Sequence, residues 1–395
     1  MLHCDVVIIG AGPTGCYSAC ELARRGYDVL LVEEHERVGE PQHCTGVIGL
    51  EAFRRFDLPR ECVRATMSRA RLYSPGGEWI EVDAGEPRAV AVDRGGLDRA
   101  LAQRAVHAGA SLALGMRAIG LSTSDDGASV RLYGRNGFET VRARLCLAAT
   151  GVAGALLQQA GLAQRQQWVL GARVEVESKH LECTEIHFGR RTAPGGFAWA
   201  VPVGGGKARV GLIGPGTSAT QLRRLVNSGV LAEKVSMNGD KIQCRPIPLG
   251  ACRPSFGPSV MAVGDAAGQV KTTTGGGIYY GLIGAQAAVE TACQAFGRGD
   301  FSRDFLSRYE KRWIQRIGGE QRMGMAFRKI GSALPDGQID ALFRVLRVTG
   351  ISNLLAQGAD FDWHAGRTLL ATVAGMAARA AGFNLLLGAR ENGRA

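Results

Sequence analysis

Long apolar runs are missing from this sequence of 395 residues, and so is the C-x-x-C spacing among its cysteines. No segment reaches about 18 uncharged apolar residues, and the nearest, residues 369–388, contains Arg379 and Asn384, so we predict no transmembrane helix. The 10 cysteines are scattered without a C-x-x-C pair, which predicts neither a metal site nor a disulfide framework. Unpaired cysteines and an N-terminal stretch unlike a signal peptide favour a reducing, cytoplasmic location.

Acidic residues are the minority among the charged side chains. The sequence has 36 Asp and Glu against 47 Lys and Arg, a formal net charge of +11. Such an excess is compatible with ordinary solubility, but it also attracts phosphorylated ligands, anionic lipid or nucleic acid. Basic runs with interleaved aromatic residues are missing, so we predict no nucleic-acid partner. The length predicts two or three structural units.

What is present is most distinctive at the start of the chain. An apolar run of strand length leads into glycines spaced G-x-G-x-x-G, a helical pattern follows, and a second apolar run ends in two acids. This order is typical of a dinucleotide-binding unit, in which the glycines shape a pyrophosphate turn and an acid accepts hydrogen bonds from a ribose. The predicted cofactor contacts in this unit are Gly10, Gly12, Pro13, Gly15, Glu33 and Glu34.

Two further strand-then-glycine units follow, at residues 145–151 and 260–268, far from the first unit at residues 6–15. Ligands of parallel sheets bind at the carboxyl edge, so we expect the three strand ends to meet at one cofactor. Residues 138–141 and 145–149 are predicted as separate strands, and most of 168–213 as strands. Helices are predicted at 278–296, 301–317, 320–330, 338–347, 351–355 and 365–387.

Four motifs together resemble the geranylgeranyl reductase family, which has the p-hydroxybenzoate-hydroxylase-type flavoprotein fold. They are the opening glycine unit with Glu33, the loop Cys44-Thr45-Gly46, residues 195–202 with the glycine pair Gly211 and Gly214, and residues 264–268 followed by 274–278. The resemblance covers roughly residues 1–330. The third motif departs from the family, because Phe197 stands where tyrosine is usual and Val201 where phenylalanine is frequent. Thr272 likewise replaces an expected proline.

The resemblance implies an α/β (α+β) fold with a discontinuous Rossmann-like FAD-binding domain at residues 1–66, 93–165 and 255–298. An inserted antiparallel-sheet substrate domain would comprise 67–92 and 166–254, and a helical C-terminal region 299–395. It implies FAD as the cofactor, and NADPH or a ferredoxin as the external electron donor. The further implied FAD contacts are Cys44, Thr45, Gly46, Arg94, Gly264, Asp265, Gly275, Gly276, Gly277 and Ile278. Arg94 also has an alternative interpretation, an arginine on the surface at a helix start.

The implied reaction is saturation of carbon–carbon double bonds in a prenyl (geranylgeranyl-type) chain, with a hydride from N5 of the reduced flavin. Cys44 is the candidate proton donor or positioning group, and Phe197, Trp199 and Pro202 are the candidate substrate contacts. Cys44 and the two aromatic residues have an alternative interpretation as ordinary core.

The expected partner is a prenylated lipid or prenyl diphosphate. Residues 365–387 either lie on a membrane surface, cap a lipid tunnel or pack as a helical layer, and the oligomeric state stays open. An FAD-dependent monooxygenase or halogenase acting on an aromatic or quinone substrate is the alternative enzyme, and a non-catalytic lipid or flavin binder is the third hypothesis.

Overall fold

The computed structural model describes residues 2–42, 44–152, 154–162, 167–349 and residue 361. Its strands, in chain order, are β1 (Leu2–Ile9), β2 (Val29–Val32), β3 (Val47–Gly49), β4 (Val63–Met67), β5 (Arg69–Tyr73), β6 (Trp79–Asp83), β7 (Ala89–Val92), β8 (Ser111–Ala113), β9 (Arg117–Ser124), β10 (Gly127–Gly134), β11 (Gly137–Ala148), β12 (Gln167–Ser178), β13 (Thr184–His187), β14 (Phe197–Gly204), β15 (Lys207–Gly214), β16 (Val235–Ser236), β17 (Gln243–Leu249), β18 (Phe256–Gly257) and β19 (Val260–Ala262).

The α-helices, again in chain order, are α1 (Pro13–Ala23), α2 (Leu50–Phe56), α3 (Arg94–His107), α4 (Ala155–Gln159), α5 (Ala219–Ser228), α6 (Ile278–Arg298), α7 (Arg303–Trp313), α8 (Gly319–Ala333) and α9 (Asp336–Thr349). Short 3-10 turns occupy Arg60–Cys62 and Gly264–Ala267, and Ile314–Gly318 is a π-helical turn. No helix in this described part of the chain is long and apolar enough to cross a membrane.

The first sheet has a parallel centre in the order β19-β11-β1-β2-β8. Val6–Ile9 of β1 are fully buried, because α1, α3 and α6 cover one face of the sheet while β10 and α4 contribute to a second core on the other. Strands β1, β11 and β19 are neighbours, and each leads into one of the glycine units. The three units therefore meet at one edge of the sheet, and their meeting at one cofactor stays a prediction.

Strand β11 differs from the sequence-based expectation. The structure joins the strands predicted at 138–141 and 145–149 into one continuous strand. Its first half pairs antiparallel with β10 through residues 137–143, and its second half pairs parallel with β1 through residues 141–148. Residues 141–143 lie between both partner strands, so β11 continues through this region without a break.

The second sheet is mainly antiparallel, in the order β16-β12-β15-β14-β13-β5-β6, with β17 also paired to β12. Its two faces differ in what covers them. Ala198 and Ala200 pack with Leu222 and Leu225 of α5, whereas Phe197 and Trp199 belong to apolar clusters on the opposite face. This alternation follows from the two-residue period of a strand.

A small third sheet, β3-β7-β4, lies between the two large ones. Ala91 of β7 and Val47 of β3 pack against Val201 and Val203 of β14. Because β3 begins immediately after the loop that contains Cys44, this packing brings the loop beside the second sheet. The expected antiparallel insertion thus reaches the cofactor half of the fold at the Cys44 loop.

The helices after residue 300 form fewer separate segments than predicted. Helices α7 and α8 run on through the π-helical turn, so the break expected between 317 and 320 is wrong. The glycines at this point, Gly318 and Gly319, keep right-handed helical dihedral angles and do not end the helix. Helix α9 docks on the β5–β6 hairpin, where the Asp340 carboxylate accepts hydrogen bonds from Ser74 Oγ (2.6 Å) and the Gly76 amide (2.7 Å). The helices predicted at 351–355 and 365–387 lie outside the described residues.

Candidate active site

The opening glycine turn has one crowded side and one open side. A Cβ added at Gly15 would lie 1.9 Å from the Gly10 carbonyl oxygen, and one at Gly10, whose φ is +106°, would lie 2.4 Å from the Ala149 carbonyl oxygen. A Cβ at Gly12 would meet no described atom within 4 Å. Helix α1 begins at Pro13 without a side-chain cap from Gly12, so its first amides face this open space. The turn therefore fits a pyrophosphate.

The two acids after β2 occupy different positions. The Glu33 carboxylate accepts hydrogen bonds from the Ala11 amide (2.8 Å) and the His35 amide (3.1 Å), which ties it to the glycine turn. Glu34 is exposed and faces Arg117 at 3.7 Å. The geometry suits Glu33 for a ribose contact, while the predicted contact of Glu34 stays a prediction.

The first and last cofactor motifs touch each other at Thr14. A Cβ at Gly264 would lie 2.8 Å from Thr14 Oγ1, and one at Gly281 of α6 would lie 2.6 Å from Thr14 Cγ2. The Gly264 amide donates to Gln269 Oε1 (2.7 Å), and Gln269 Nε2 contacts the Tyr309 hydroxyl of α7 at 2.7 Å. Gln269 and Tyr309 did not emerge from the motifs, because their effect on the turn depends on a helix that comes later in the chain.

Asp265 lies against the start of α6. A Cβ at Gly277 would lie 2.6 Å from Asp265 Oδ1, so only glycine allows this approach. Burial raises the pKa of Asp265, and Arg94 and Arg245 act in the opposite direction. The carboxylate accepts no side-chain or amide hydrogen bond recorded among the described residues, which leaves it available to a hydroxyl of a bound ligand.

The third glycine segment leads into α6. Gly275 has a φ of +77° and packs near Ile213, while the Gly276 carbonyl accepts from the Lys271 amide (3.0 Å). Helix α6 begins at Ile278, as predicted, and Gly277 provides no side-chain cap. The N-terminus of a helix carries a partial positive charge, which suits an electron-rich group.

Arg94 connects three parts of the site. Its Nη2 donates to Asp98 Oδ2 (2.7 Å), and its Nε is buried without a partner in the described structure. Burial acts to lower the pKa of Arg94, but the carboxylates of Asp98 and Asp265 raise it. The side chain is only 15% exposed, so the alternative of a surface arginine is wrong.

The Cys44 loop is held from the second sheet. Cys44 is half-buried, and its Sγ accepts a hydrogen bond from the Gly46 amide (3.3 Å). Arg173 Nη2 donates to the Gln42 carbonyl (2.9 Å), and Arg209 Nη1 donates to the Thr45 carbonyl (2.7 Å). Neither arginine was predicted as a site residue, because an arginine that alternates with apolar residues in a strand normally faces water. His43 lies outside the described residues.

Trp199 and Phe197 lie side by side on one face of β14, in the middle of the second sheet, and begin what we call the aromatic wall. The Trp199 ring lies across Gly211, where an added Cβ would be 2.2 Å from Trp199 Cζ2. Phe197 lies beside it with ring centroids 5.9 Å apart. Strand alternation puts Pro202 on the opposite face with Ala198 and Ala200, so the structure does not bring Pro202 to this wall.

These features fit FAD: an open glycine turn, an acid held beside that turn, a carboxylate at the start of α6 and two helix starts without a side-chain cap. A family model described as "FAD binding domain" matches residues 3–235. Digeranylgeranylglycerophospholipid reductase 2 of Methanothermobacter thermautotrophicus is 32% identical over 365 residues, covering 89% of this chain and 93% of the relative. The chain belongs to the geranylgeranyl reductase family. It is an FAD-dependent oxidoreductase.

Solved structures place this reductase in the expected fold. A geranylgeranyl bacteriochlorophyll reductase-like protein from Thermoplasma acidophilum matches with a TM-score of 0.82 and 23% identity, covering 91% of this chain and 97% of that one. The p-nitrophenol 4-monooxygenase of Pseudomonas putida matches with a TM-score of 0.72 and 16% identity, covering 94% and 98%. At such identities the likeness concerns the fold alone, so the family membership favours the reductase over the monooxygenase or halogenase alternative.

Proposed function

We propose that this reductase saturates carbon–carbon double bonds in the geranylgeranyl-type chains of a prenylated lipid. The observation that carries the proposal is a row of aromatic rings that starts at Trp199. From Trp199 the row continues to Phe197 at 5.9 Å, to Phe188 at 6.3 Å and to Phe343 of α9 at 6.0 Å, measured between successive ring centroids. Such an extended apolar wall suits a hydrocarbon chain better than a compact aromatic substrate. The name of the Methanothermobacter relative agrees with a lipid substrate.

In this proposal both ends of the Rossmann-like half hold FAD. Gly10, Gly12, Pro13 and Gly15 border the pyrophosphate and Glu33 contacts the adenosine ribose. Asp265 and the 275–278 segment contact the remainder of the cofactor. When bound and reduced, FAD supplies a hydride to one carbon of the double bond.

The chain's own residues then have three tasks, because an isolated alkene is a poor hydride acceptor. Trp199 and Phe197 hold the alkene in a fixed orientation, and the apolar surroundings exclude water. The Cys44 thiol supplies the proton to the second carbon, from a loop that lies beside Arg94 and Arg173. Hydride and proton together add two hydrogen atoms per double bond.

Mass spectrometry of products tests the proposal. The FAD-loaded protein is reduced anaerobically with dithionite, NADPH or a reduced ferredoxin and mixed with a panel of prenyl lipids and prenyl diphosphates. We expect products heavier by two hydrogen atoms for each double bond, with the lipid preferred over the diphosphate. Unchanged prenyl substrates, together with oxygen consumption on an aromatic substrate, would instead support a monooxygenase.

We also propose that the protein contacts the membrane from which its substrate comes. Large apolar side chains are exposed on the last two described helices: Ile330 of α8 is 60% exposed, and Val348 of α9 is 87% exposed. Arginines accompany them, at positions 344 and 347, and the chain as a whole is basic. Flotation with anionic vesicles checks this contact. Recovery of all protein in the lipid-free fraction would contradict it.

A further inference from the structure

Two buried arginines of the second sheet bracket the loop that carries Cys44. Arg173 of β12 donates to the Gln42 carbonyl on one side of Cys44, at 2.9 Å. Arg209 of β15 donates to the Thr45 carbonyl on the other side, at 2.7 Å, and to the Val92 carbonyl of β7, at 2.8 Å. The loop is thus held at both ends by side chains that lie more than a hundred residues away in sequence.

The two arginines share one face of the sheet. Strands β12 and β15 pair so that Glu175 faces Arg209 and Arg173 faces Gly211. Trp199 faces the same Gly211 from the other side, across β14 and β15. Arg173, Gly211 and Trp199 therefore form one row across three strands. The row that carries the indole of the aromatic wall also carries the arginine that holds the loop.

Burial and charge distinguish Arg173 from an ordinary strand residue. Arg173 is 8% exposed and Arg209 is 3% exposed. Arg209 forms an ion pair with Glu175 at 2.8 Å, whereas Arg173 has no ion pair among the described residues and its Nε has no partner there. Burial lowers the pKa of Arg173, and Glu175 opposes this only in part. A guanidinium buried without a counter-ion is costly, so packing alone does not explain it.

We propose that Arg173 and Arg209 are positioning residues for the reaction, which fix the place of the Cys44 thiol through the Gln42 and Thr45 carbonyls. The thiol is then positioned by the sheet that carries the aromatic wall, and only secondarily by the Rossmann-like half. This inference rests on the proposed role of Cys44, but its structural part is measurable without any substrate.

Site-resolved alkylation of the FAD-loaded, substrate-free protein tests the inference. Iodoacetamide labelling is followed by peptide mass spectrometry, and the rate at Cys44 is divided by the rate at half-buried Cys293, which serves as an internal reference. The Arg173→Met variant loses the hydrogen bond from Arg173 to the Gln42 carbonyl of the loop. We expect the ratio to rise roughly fivefold or more, because labelling follows local opening. Arg173→Lys keeps a charged donor and should return the ratio toward the wild-type value.

The control is Arg71→Met, which removes an arginine from the same sheet that pairs with Glu81 at 2.8 Å and does not contact the loop. This variant should leave the ratio unchanged. With an accepted prenyl substrate, Arg173→Met should also lower kcat by about tenfold with little change in KM, since orientation and not binding is lost.

An unchanged labelling ratio in Arg173→Met would overturn the inference. If Arg173→Met does not fold, Arg209→Met provides the second arm, because it removes the donor to the Thr45 carbonyl on the other side of Cys44. A wild-type ratio in a folded Arg209→Met protein would also overturn it. Failure of the prenyl-reductase proposal would appear only in the product analysis and would leave these ratios as predicted.

Discussion

The pyrophosphate turn and the Cys44 loop lie in one site but are built by different means. The turn depends on its backbone and on residues without side chains: Gly10 and Gly15 are packed against carbonyl oxygens, and Gly12 leaves open space. The loop is made of long-range side-chain contacts, which reach it from Arg173 and Arg209. The difference indicates that the cofactor end of the site is set locally, whereas the reactive end depends on how two halves of the fold meet.

The sharpest test of the turn compares Gly15→Ala with Gly12→Ala. The Cβ at residue 15 would lie 1.9 Å from a backbone oxygen that has no room to move, so we expect a loss of about 3 kcal/mol or more in the free energy of unfolding. Gly12→Ala adds the same methyl group in open space. As the apoprotein it should unfold like the wild type in urea, yet it should bind FAD more weakly, because the methyl occupies the proposed pyrophosphate space. Equal stability of the two variants would contradict this account of the turn.

At the reactive end, Cys44→Ala should separate chemistry from cofactor binding. Loss of the proposed proton donor should lower kcat for alkene reduction by roughly 100-fold or more. FAD affinity, measured by titration of the apoprotein, should stay close to the wild-type value, since among the described residues no hydrogen bond joins Cys44 to the glycine turn. Turnover at the wild-type rate would show that the thiol has no chemical role.

Arg209→Met should affect stability and the loop together. The variant loses the ion pair with Glu175 and two hydrogen bonds to backbone carbonyls. We therefore expect the free energy of unfolding, measured by chemical denaturation, to fall by roughly 2 kcal/mol. Its labelling ratio at Cys44 should rise as in Arg173→Met. Arg71→Met, which breaks a more exposed ion pair in the same sheet, is the matched control. A rise in the control variant as well would mean that the whole sheet, and not the loop contact, has loosened.

The smallest expected effect concerns pH. Burial raises the pKa of Asp98 from its ordinary value of 3.8 to about 6, and Arg94 opposes this only in part. The folded state therefore binds this proton more tightly than the unfolded state, so the contribution of Asp98 to stability is present at low pH and is lost as pH rises from about 4 to 6. The stability difference between wild type and Asp98→Asn should fall across that interval. A difference that grows with pH there would contradict the assignment.

The same contrast explains what could be predicted from the sequence. The glycine units, Glu33, Asp265 and the start of α6 follow from spacing along the chain, because each function depends on neighbouring backbone. The roles of Arg173 and Arg209 do not, since an arginine that alternates with apolar residues in a strand normally faces water. The packing of β3 and β7 against β14 helps to bury that face.

Some errors could have been avoided from the sequence and others could not. Phe197 and Trp199 differ from Pro202 in strand parity, so the separation of Pro202 from the wall was available from alternation alone. In contrast, the continuity of β11 and the continuity of α7 with α8 could not be predicted from the sequence. Whether a strand or helix ends depends on partners such as β10 and β1, whose register appears only in the folded protein.

A single-turnover experiment addresses the central claim most directly. The FAD-loaded protein is reduced anaerobically with one equivalent of dithionite and mixed with a digeranylgeranyl lipid, and the visible absorbance of oxidised flavin is recorded while samples are taken for mass spectrometry. We predict that the absorbance returns without oxygen and in step with the gain of two hydrogen atoms per flavin. Absorbance that returns only when oxygen is admitted, with the lipid unchanged, would contradict the assignment of this protein as a prenyl-chain reductase.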